Sequence, residues 1–266
     1  MGNNGGKAVK RMASTNAPMK VTNKHFVLGN PIQGPFPDGM EKVVVGTGTR
    51  FPLDVPLNAS HKKTHTISGC FWGTERGFWK IPGVYTTAVG YCGGKIDHPT
   101  YRQVCSGVTG HNETVLIVWD PKKVSFSDIL RQFWQSHDPT QGMGQGNDRG
   151  TQYRSGIYCY TKEQEEAAKA SAVAYDLQLK KAKKGLGPER DSSKYHPITT
   201  EIVYPAPTFF YAEDYHQQYL DKPGSRQYCS AQPQGVNLPA SSLWLPDALK
   251  KLYEDKVGST GKCTSG

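Results

Sequence analysis

The fold is decided by the stretch Gly69-Cys70-Phe71-Trp72-Gly73-Thr74-Glu75-Arg76-Gly77-Phe78-Trp79-Lys80. Ahead of it, residues 63–67 alternate polar and β-branched side chains, which predicts a strand. Behind Cys70, aromatic residues recur at helical spacing, so a helix begins there. Backbone N–H groups without helical partners gather at such a junction and favour an anion, so Cys70 is a candidate nucleophilic thiolate. The alternative is a small buried hydrophobic residue, because free cysteines beside aromatic rings are commonly inert packing residues.

Composition and charge exclude several classes of protein. The 266 residues are 36% hydrophobic and 11% aromatic, enough for one domain with a full core. The formal charge of +9 is scattered, so it does not indicate nucleic-acid binding. No apolar segment is long enough for a membrane span, and a secretory signal is absent. We therefore expect a cytoplasmic protein, with a mitochondrial presequence as the alternative.

The six cysteines indicate thiol chemistry rather than a disulfide scaffold. None is paired as Cys-x-x-Cys, and six are too few to staple a chain of this length. In a reducing compartment this pattern favours catalytic or redox thiols. Cys92, Cys105 and Cys159 fall in predicted strands or loops, where we expect unreactive packing residues.

Three regions are predicted along the chain. Residues 1–61 are rich in Gly, Asn, Lys and Pro and predict a flexible segment, with a short edge strand at Val43 to Val45. Residues 62–228 form the catalytic domain and residues 229–266 a C-terminal tail. The predicted strands are 83–91, 114–119, 155–160 and 199–204, and the predicted helices are 125–136, 162–184, 212–220 and 247–254. This alternation predicts an α/β (α+β) fold, a two-layer sandwich with long irregular termini.

Polar residues concentrate in the predicted loops. Glu113 directly precedes the apolar strand 114–119, and Tyr101, Asp148 and Tyr153 lie in the predicted loops 97–113 and 140–153. If they converge on the start of the Cys70 helix, they surround a thiolate with hydrogen-bond donors. For each residue alone, a packing or turn role is the simpler interpretation.

Seven motifs together resemble the peptide methionine sulfoxide reductases of the A class. The resemblance covers residues 63–229 in the family's order, and it implies a mixed sheet with flanking helices around a ferredoxin-like core. The motifs are Gly69-Cys-Phe-Trp-Gly73 with Glu75, Gly90-Tyr-Cys-Gly-Gly94, Tyr101-Arg-Gln-Val-Cys-Ser-Gly107, Gly110-His-Asn-Glu113, His137-Asp-Pro-Thr140, Gln145-Gly-Asn-Asp-Arg-Gly-Thr-Gln-Tyr153 and Ala212-Glu-Asp-Tyr-His-Gln-Gln-Tyr219.

The resemblance implies a thiol reductase for the S epimer of methionine sulfoxide, free or in proteins. By analogy with the family, Cys70 attacks the sulfur, a protonated Glu113 supplies a proton, and Tyr101 and Tyr153 hold the oxygen. Phe71 and Trp72 receive the S-methyl group, and Asp148 supports the site. The resulting sulfenic acid condenses with Cys229, and thioredoxin reduces the disulfide. No metal or other cofactor is implied, and we expect a monomer.

The tail departs from the family pattern. Several members carry a second tail cysteine where this chain has Asn237, in Gly235-Val-Asn-Leu-Pro239. Either thioredoxin acts directly on the Cys70–Cys229 disulfide, or Cys263 serves as the recycling cysteine. Cys92 also stands where the family usually has alanine.

Two other functions use the same cysteines. A Cys/His hydrolase pairs Cys70 with a base such as His65, His111 or His216, although no third group that orients the base is evident. A non-enzymatic thiol redox sensor needs Cys70 and Cys229 but not the surrounding acid and tyrosines.

Overall fold

The computed structural model describes residues 16–47, 71–188, 193–225 and 233–256. The predicted strand at 63–67 lies outside these residues, as do Cys70, Cys229, Cys263 and His65. Within them, the strands are β1 (Glu41–Gly46), β2 (Val84–Cys92), β3 (Asn112–Trp119), β4 (Gly144–Gln145), β5 (Asp148–Arg149), β6 (Gly156–Cys159), β7 (Glu201–Val203) and β8 (Phe210–Tyr211). The α-helices are α1 (Phe71–Trp79), α2 (Tyr101–Cys105), α3 (Phe126–Ser136), α4 (Lys162–Ala182) and α5 (Asp247–Tyr253).

Six strands form one mixed sheet in the order β7-β6-β1-β3-β2-β8. Only β6 and β7 pair in parallel, and the other neighbours are antiparallel. The four central strands with α1 and α3 follow the β-α-β-β-α-β connectivity of a ferredoxin-like core. The predicted α/β class, with a mixed sheet and flanking helices, is confirmed.

The helices bury one face of the sheet. Phe78, Phe133 and Trp134 are almost completely buried in one apolar cluster with the inward residues of β1, β2 and β3. Burial of side chains of this size stabilises a fold by roughly 1.5–3 kcal/mol each. The C-terminal helix α5 joins the same cluster through Leu249 and Tyr253, so the predicted helix in the tail is confirmed.

The opposite face of the sheet is covered by irregular chain rather than by helices. Ile32 is fully buried against Val44 and Leu116, and Phe36 packs at the rim of this second cluster. The same stretch also reaches the helix-covered face, where the His25 imidazole forms a 2.9 Å hydrogen bond with the Thr87 hydroxyl, which itself donates to Glu75 of α1. Residues 16–40 therefore belong to the folded body, and the predicted flexible segment 1–61 is wrong for this part.

The predicted edge strand is also wrong in position. Val43 to Val45 lie in β1, which pairs with β3 on one side and β6 on the other. All three valines are buried, since both sheet faces are covered. A run of adjacent buried valines is typical of a strand inside a covered sheet.

Helix ends follow the capping signals. Ser125 caps α3 in a capping box with Asp128, and Thr161 caps α4 by accepting from the Gln164 backbone N–H. The predicted strands at 83–91, 114–119, 155–160 and 199–204 each contain an observed strand.

The predicted helix at 212–220 is wrong. The structure has turns there, followed by a 3-10 helix at Tyr219–Asp221. Gln218 adopts a left-handed backbone conformation with φ of 45°, which an α-helix does not tolerate. Helix α2 and the β4–β5 hairpin lie where loops are predicted from the sequence. Helix α2 begins with a capping box formed by Thr100 and Gln103.

Candidate active site

The first turn of α1 presents two aromatic side chains. The Phe71 ring lies 6.0 Å from the Tyr91 ring and 5.2 Å from the His216 ring, measured between centroids. The Trp72 ring stacks on Tyr219 at 3.8 Å. Because the Trp72 indole N–H also donates to His216 Nδ1 at 3.2 Å, its orientation is held from two sides. The pair forms an aromatic wall directly after Cys70 in the sequence.

Glu113 stands on the central strand β3 and faces this wall. It is 3% exposed and lies directly opposite Tyr91 in the antiparallel β2–β3 pair. Residues opposite each other in such a pair project from the same face of the sheet. Since Phe71 packs on Tyr91, the Glu113 carboxyl lies on the face that α1 covers.

Tyr101 and Tyr153 are close to the Glu113 carboxyl. Burial raises the pKa of both phenols above the ordinary range, and the negative charge of Glu113 raises each pKa further. Tyr101 is the first residue of α2, and Tyr153 ends the 3-10 helix Thr151–Tyr153. Both phenols therefore stay protonated near neutral pH and act as hydrogen-bond donors beside a buried carboxyl.

Asp148 reaches the site from a short hairpin. It is buried in β5, and its charge also raises the pKa of Tyr153 after burial and Glu113. The preceding segment is fixed by Gln145, whose amide donates to the Asp138 carbonyl at 2.8 Å and whose Oε1 accepts from the Asp138 N–H at 3.1 Å. These bonds hold a glycine-rich segment with little apolar side-chain packing of its own.

The segment 212–219 closes the site, a role that its sequence does not predict. Glu213 accepts hydrogen bonds from the Tyr91 hydroxyl at 2.7 Å and from the Tyr101 backbone N–H at 2.8 Å. His216 lies between Trp72 and Tyr101, with its ring 4.7 Å from the Tyr101 ring. The available signal is the family motif from Ala212 to Tyr219, although a short helix is expected there.

His216 does not have the environment of a general base. Burial lowers its pKa to about 3, so the imidazole is neutral near pH 7. Its Nδ1 accepts from Trp72, and its Nε2 lies 3.9 Å from the Glu213 carboxylate, beyond hydrogen-bond distance. The ring thus serves as a wall of the site.

Glu75 ties the closing segment to α1. Its carboxylate accepts from the Gln218 backbone N–H at 2.9 Å, the Gln218 amide at 3.1 Å and the Thr87 hydroxyl at 3.1 Å. Complete burial raises the pKa of Glu75 to about 7, and these hydrogen bonds oppose that rise.

The free cysteines differ in their exposure. Cys92 and Cys159 are buried strand residues, as expected for packing residues. Cys105 is exposed at the end of α2, so the prediction of a packing role is wrong for this thiol. The sulfur itself is partly covered by neighbouring side chains, which raises the pKa of Cys105, while a hydrogen bond with the Tyr101 side chain lowers it. This hydrogen bond places Cys105 beside the site.

The structure thus brings together Phe71, Trp72, Tyr101, Glu113, Asp148 and Tyr153, whereas Cys70, Cys229 and Cys263 lie outside the described residues. In those described residues, no group of three or more His, Cys, Asp or Glu side chains could hold a metal ion. No helix in the same part of the chain is both long and apolar enough to cross a membrane.

Comparison with known proteins identifies the family. The family model described as peptide methionine sulfoxide reductase matches residues 62–240. A relative from Synechocystis, named peptide methionine sulfoxide reductase MsrA 1, is 50% identical over 223 residues, which are 84% of this chain and 85% of the relative. The chain belongs to the peptide methionine sulfoxide reductase A family. A second relative, the MsrA of Xanthomonas campestris pv. campestris, is 51% identical over 217 residues, covering 82% of this chain and 85% of the relative.

Solved reductase structures share the fold. Methionine sulfoxide reductase A of Corynebacterium diphtheriae is 34% identical with a TM-score of 0.65, covering 86% of this chain and 96% of that one. The reduced form of Mxr1 from Saccharomyces cerevisiae is 26% identical with a TM-score of 0.53, covering 75% and 94%. As a member of this family, the protein is a peptide-methionine (S)-S-oxide reductase, and its substrates are methionine sulfoxide residues in proteins. Because the chain belongs to this reductase family, the hydrolase and the non-enzymatic redox sensor are no longer considered.

Proposed function

We propose that Cys70 reduces methionine sulfoxide with Glu113 as the general acid. The Cys70 thiolate attacks the sulfoxide sulfur while Glu113 gives its proton to the oxygen. The attack first joins the Cys70 sulfur to the substrate sulfur, which carries the protonated oxygen. This S–S bond and the substrate S–O bond then break as the OH group transfers to the Cys70 sulfur, so that the thioether leaves as methionine and Cys70 becomes a sulfenic acid, Cys–S–OH. The thiol is oxidised by two electrons, and the sulfoxide is reduced by two.

The observation that carries this proposal is the position of the Glu113 carboxyl. It is buried, it faces the phenols of Tyr101 and Tyr153, and it stands on the sheet face covered by the start of α1. Removal from water favours the neutral form of a carboxyl group, and only that form can donate a proton. The two phenols are positioned to donate hydrogen bonds to the sulfoxide oxygen as negative charge develops on it.

Phe71 and Trp72 are proposed to bind the S-methyl group. Contacts between sulfur or methyl groups and aromatic rings are favourable, and both rings are held rigidly. Asp148 is proposed to support the site, since its negative charge raises the pKa of the Tyr153 phenol and so favours the protonated form.

Regeneration is proposed to use the C-terminal tail. Cys229 condenses with the Cys70 sulfenic acid, forming a disulfide and releasing water, and thioredoxin returns both thiols by exchange. Asn237, at the place of the family's second tail cysteine, is hydrogen-bonded to Gln135 of α3 at 3.1 Å and has no thiol for a relay. Thioredoxin acts either directly on the Cys70–Cys229 disulfide or through Cys263.

The remaining proposals concern the electron donor, the location of the enzyme and its domain organisation. The thioredoxin dithiol supplies the electrons, so no other cofactor is needed. We place the enzyme in the cytoplasm as a monomer, with residues 62–228 as the catalytic domain and residues 229–266 as the tail that carries the resolving cysteine.

The test uses a peptide with a single methionine sulfoxide of either epimer, together with thioredoxin, thioredoxin reductase and NADPH. The parent enzyme should reduce the S epimer only, and Cys70→Ser should be inactive. Since general acids contribute about 10²–10⁴ in rate, Glu113→Gln should lose at least about a hundredfold in kcat/KM. Glu166→Gln makes the same chemical change at an exposed position on α4 and should match the parent. A Glu113→Gln enzyme within threefold of the parent would overturn the proposed role.

The tail is tested by mapping disulfides after one turnover. Cys229→Ser should stop at the Cys70 sulfenic acid and fail to turn over with thioredoxin. Cys263→Ser should turn over normally if thioredoxin acts directly, and should accumulate the Cys70–Cys229 disulfide if a relay exists. Normal turnover of Cys229→Ser would exclude it as the resolving residue.

A further inference from the structure

Glu213 joins two elements of the site by a single side chain. One carboxylate oxygen, Oε2, accepts from the Tyr91 hydroxyl of β2 at 2.7 Å. The other, Oε1, accepts from the backbone N–H of Tyr101 at 2.8 Å. Its side chain is only 15% exposed, so water competes weakly for either bond. These contacts connect positions more than a hundred residues apart in the chain.

The bond to Tyr101 satisfies a backbone group that α2 cannot satisfy itself. Tyr101 is the first residue of this five-residue helix, and the first N–H groups of a helix have no partner within it. The Thr100 hydroxyl accepts from Gln103, which leaves the Tyr101 N–H to Glu213. Glu213 thereby ties the first residue of α2, which carries the phenol of Tyr101, to the segment 212–219.

The bond to Tyr91 fixes the other end of the bridge. Tyr91 is paired directly with Glu113 across β2 and β3. Its ring also packs on Phe71 of the aromatic wall. The Glu213 carboxylate therefore relates the start of α2 to the strand pair that carries the acid.

We propose that Glu213 is a positioning residue for the reductive step, acting through Tyr101. By accepting from both donors at once, it holds the Tyr101 phenol at the distance from Glu113 at which both groups reach the sulfoxide oxygen. The inference rests on the proposed roles of Tyr101 and Glu113. It requires the reach of a glutamate side chain rather than its negative charge.

Two conservative variants separate reach from charge. Glu213→Asp keeps the charge but is one methylene too short to span both donors. Glu213→Gln keeps the length, because its oxygen can accept from the Tyr101 N–H while its amide donates to the Tyr91 hydroxyl. The rate is measured in a single turnover of the S-epimer peptide without reductant, and the loss of free thiol monitors the reaction. Glu213→Asp should be slower than the parent by about tenfold. Glu213→Gln should stay within about threefold of the parent.

Controls distinguish positioning from a general loss of structure. Glu166→Asp makes the same change at an exposed position on α4 and should leave the rate unchanged. The affinity of Glu213→Asp for the peptide should remain within about twofold of the parent's. The reason is that the Tyr101 phenol stabilises the sulfoxide oxygen mainly in the transition state, where that oxygen develops negative charge. A slower Glu213→Gln than Glu213→Asp would show that charge matters, and the proposal would be wrong.

A double-mutant cycle tests whether Glu213 acts through Tyr101. If it does, Glu213→Asp should slow the parent about tenfold and slow Tyr101→Phe by less than about twofold. Equal effects in both backgrounds would contradict the inference. A Tyr101→Phe enzyme as fast as the parent would instead refute the proposed role of Tyr101, which keeps the two failures distinct.

Discussion

Two glycines leave room for the side chains that precede Glu113. A Cβ added at Gly94 would lie 2.0 Å from Nδ1 of the buried His111 ring. One added at Gly46 would lie 2.2 Å from Nδ2 of the buried Asn112. Both distances are far below van der Waals contact, so His111 and Asn112, at the start of β3, fit only because Gly94 and Gly46 have no side chains. The position of Glu113 depends on this packing.

Gly94→Ala should therefore damage both stability and activity. The added methyl group forces the His111 ring to move, and overpacking of this kind costs about 1–3 kcal/mol. Because His111 lies two residues before Glu113, we expect kcat/KM for the S epimer to fall as well. Gly34→Ala is the matched control, since its nearest neighbour would be at an ordinary 3.6 Å. Urea unfolding and the peptide assay would measure both effects. A Gly94→Ala protein as stable as Gly34→Ala would contradict the prediction.

Helix ends that depend on neighbouring residues could be predicted from the sequence. Ser125 with Asp128 and Thr161 with Gln164 form their capping bonds within three residues, so the local pattern contains the whole interaction. The segment 212–220 could not be predicted in this way. The side-chain amide of Gln217 accepts from the Val89 N–H at 3.0 Å and donates to the Val89 carbonyl at 2.9 Å, which binds this segment to β2. Such long-range bonds override local propensity.

The same distinction applies to the site and to β1. The motifs indicate site roles for Tyr101, Glu113, Asp148 and Tyr153. Glu213 also lies in a motif, but its role could not be predicted, because its two partners lie about 110 to 120 residues away. The valines of β1 indicated a strand. Its interior position was set by pairing with both β3 and β6, which no local pattern contains.

The end of β1 meets the first turn of α1 directly. The Thr74 hydroxyl donates to the Thr47 carbonyl at 2.8 Å, and the two hydroxyl groups are also hydrogen-bonded. One helical turn of about 5 Å separates Phe71 from Thr74. Three extended residues span about 10 Å, so Gly48 and Cys70 alone could join Thr47 to Phe71.

We therefore predict that a chain without residues 49–69 folds and reduces the S epimer. In it Gly48 precedes Cys70, as Gly69 does in the full sequence. A shorter connection also restricts the unfolded chain, so the free energy of unfolding should not decrease. The control is a full-length variant in which residues 49–69 are shuffled, and it should behave like the parent. Loss of activity or a lower unfolding midpoint in the shortened chain would show that these residues supply needed contacts.

Burial of titratable groups makes stability depend on pH. Burial lowers the pKa of His25 and His137 to about 4 and that of His216 to about 3. In the unfolded chain each takes up a proton near its ordinary pKa of about 6.5. Between these values the unfolded state binds more protons, so their contribution to stability is complete above about pH 6.5 and is lost as the pH falls.

Glu75 acts in the opposite direction. Its pKa is raised to about 7 by burial, so its contribution is complete below its ordinary pKa and is lost as the pH rises through 7. Burial also raises the pKa of Glu41, which acts with the same sign. Between pH 6 and 5, the three histidines change the difference in bound protons between the unfolded and folded states more than these two acids do. Because each proton contributes about 1.4 kcal/mol per pH unit, the unfolding free energy should fall by roughly 1–3 kcal/mol between pH 6 and 5.

Urea unfolding at about pH 7, 6 and 5 under a reducing dithiol would measure this dependence. Glu75→Gln removes the stronger opposing group, so its stability should fall more steeply with decreasing pH than that of the parent. His137→Asn removes one of the three histidines and should make the fall shallower, whatever its stability at pH 7. A parent protein equally stable at pH 7 and 5 would contradict the sign derived from the buried histidines. A shallower fall in Glu75→Gln would contradict the sign derived for the acid.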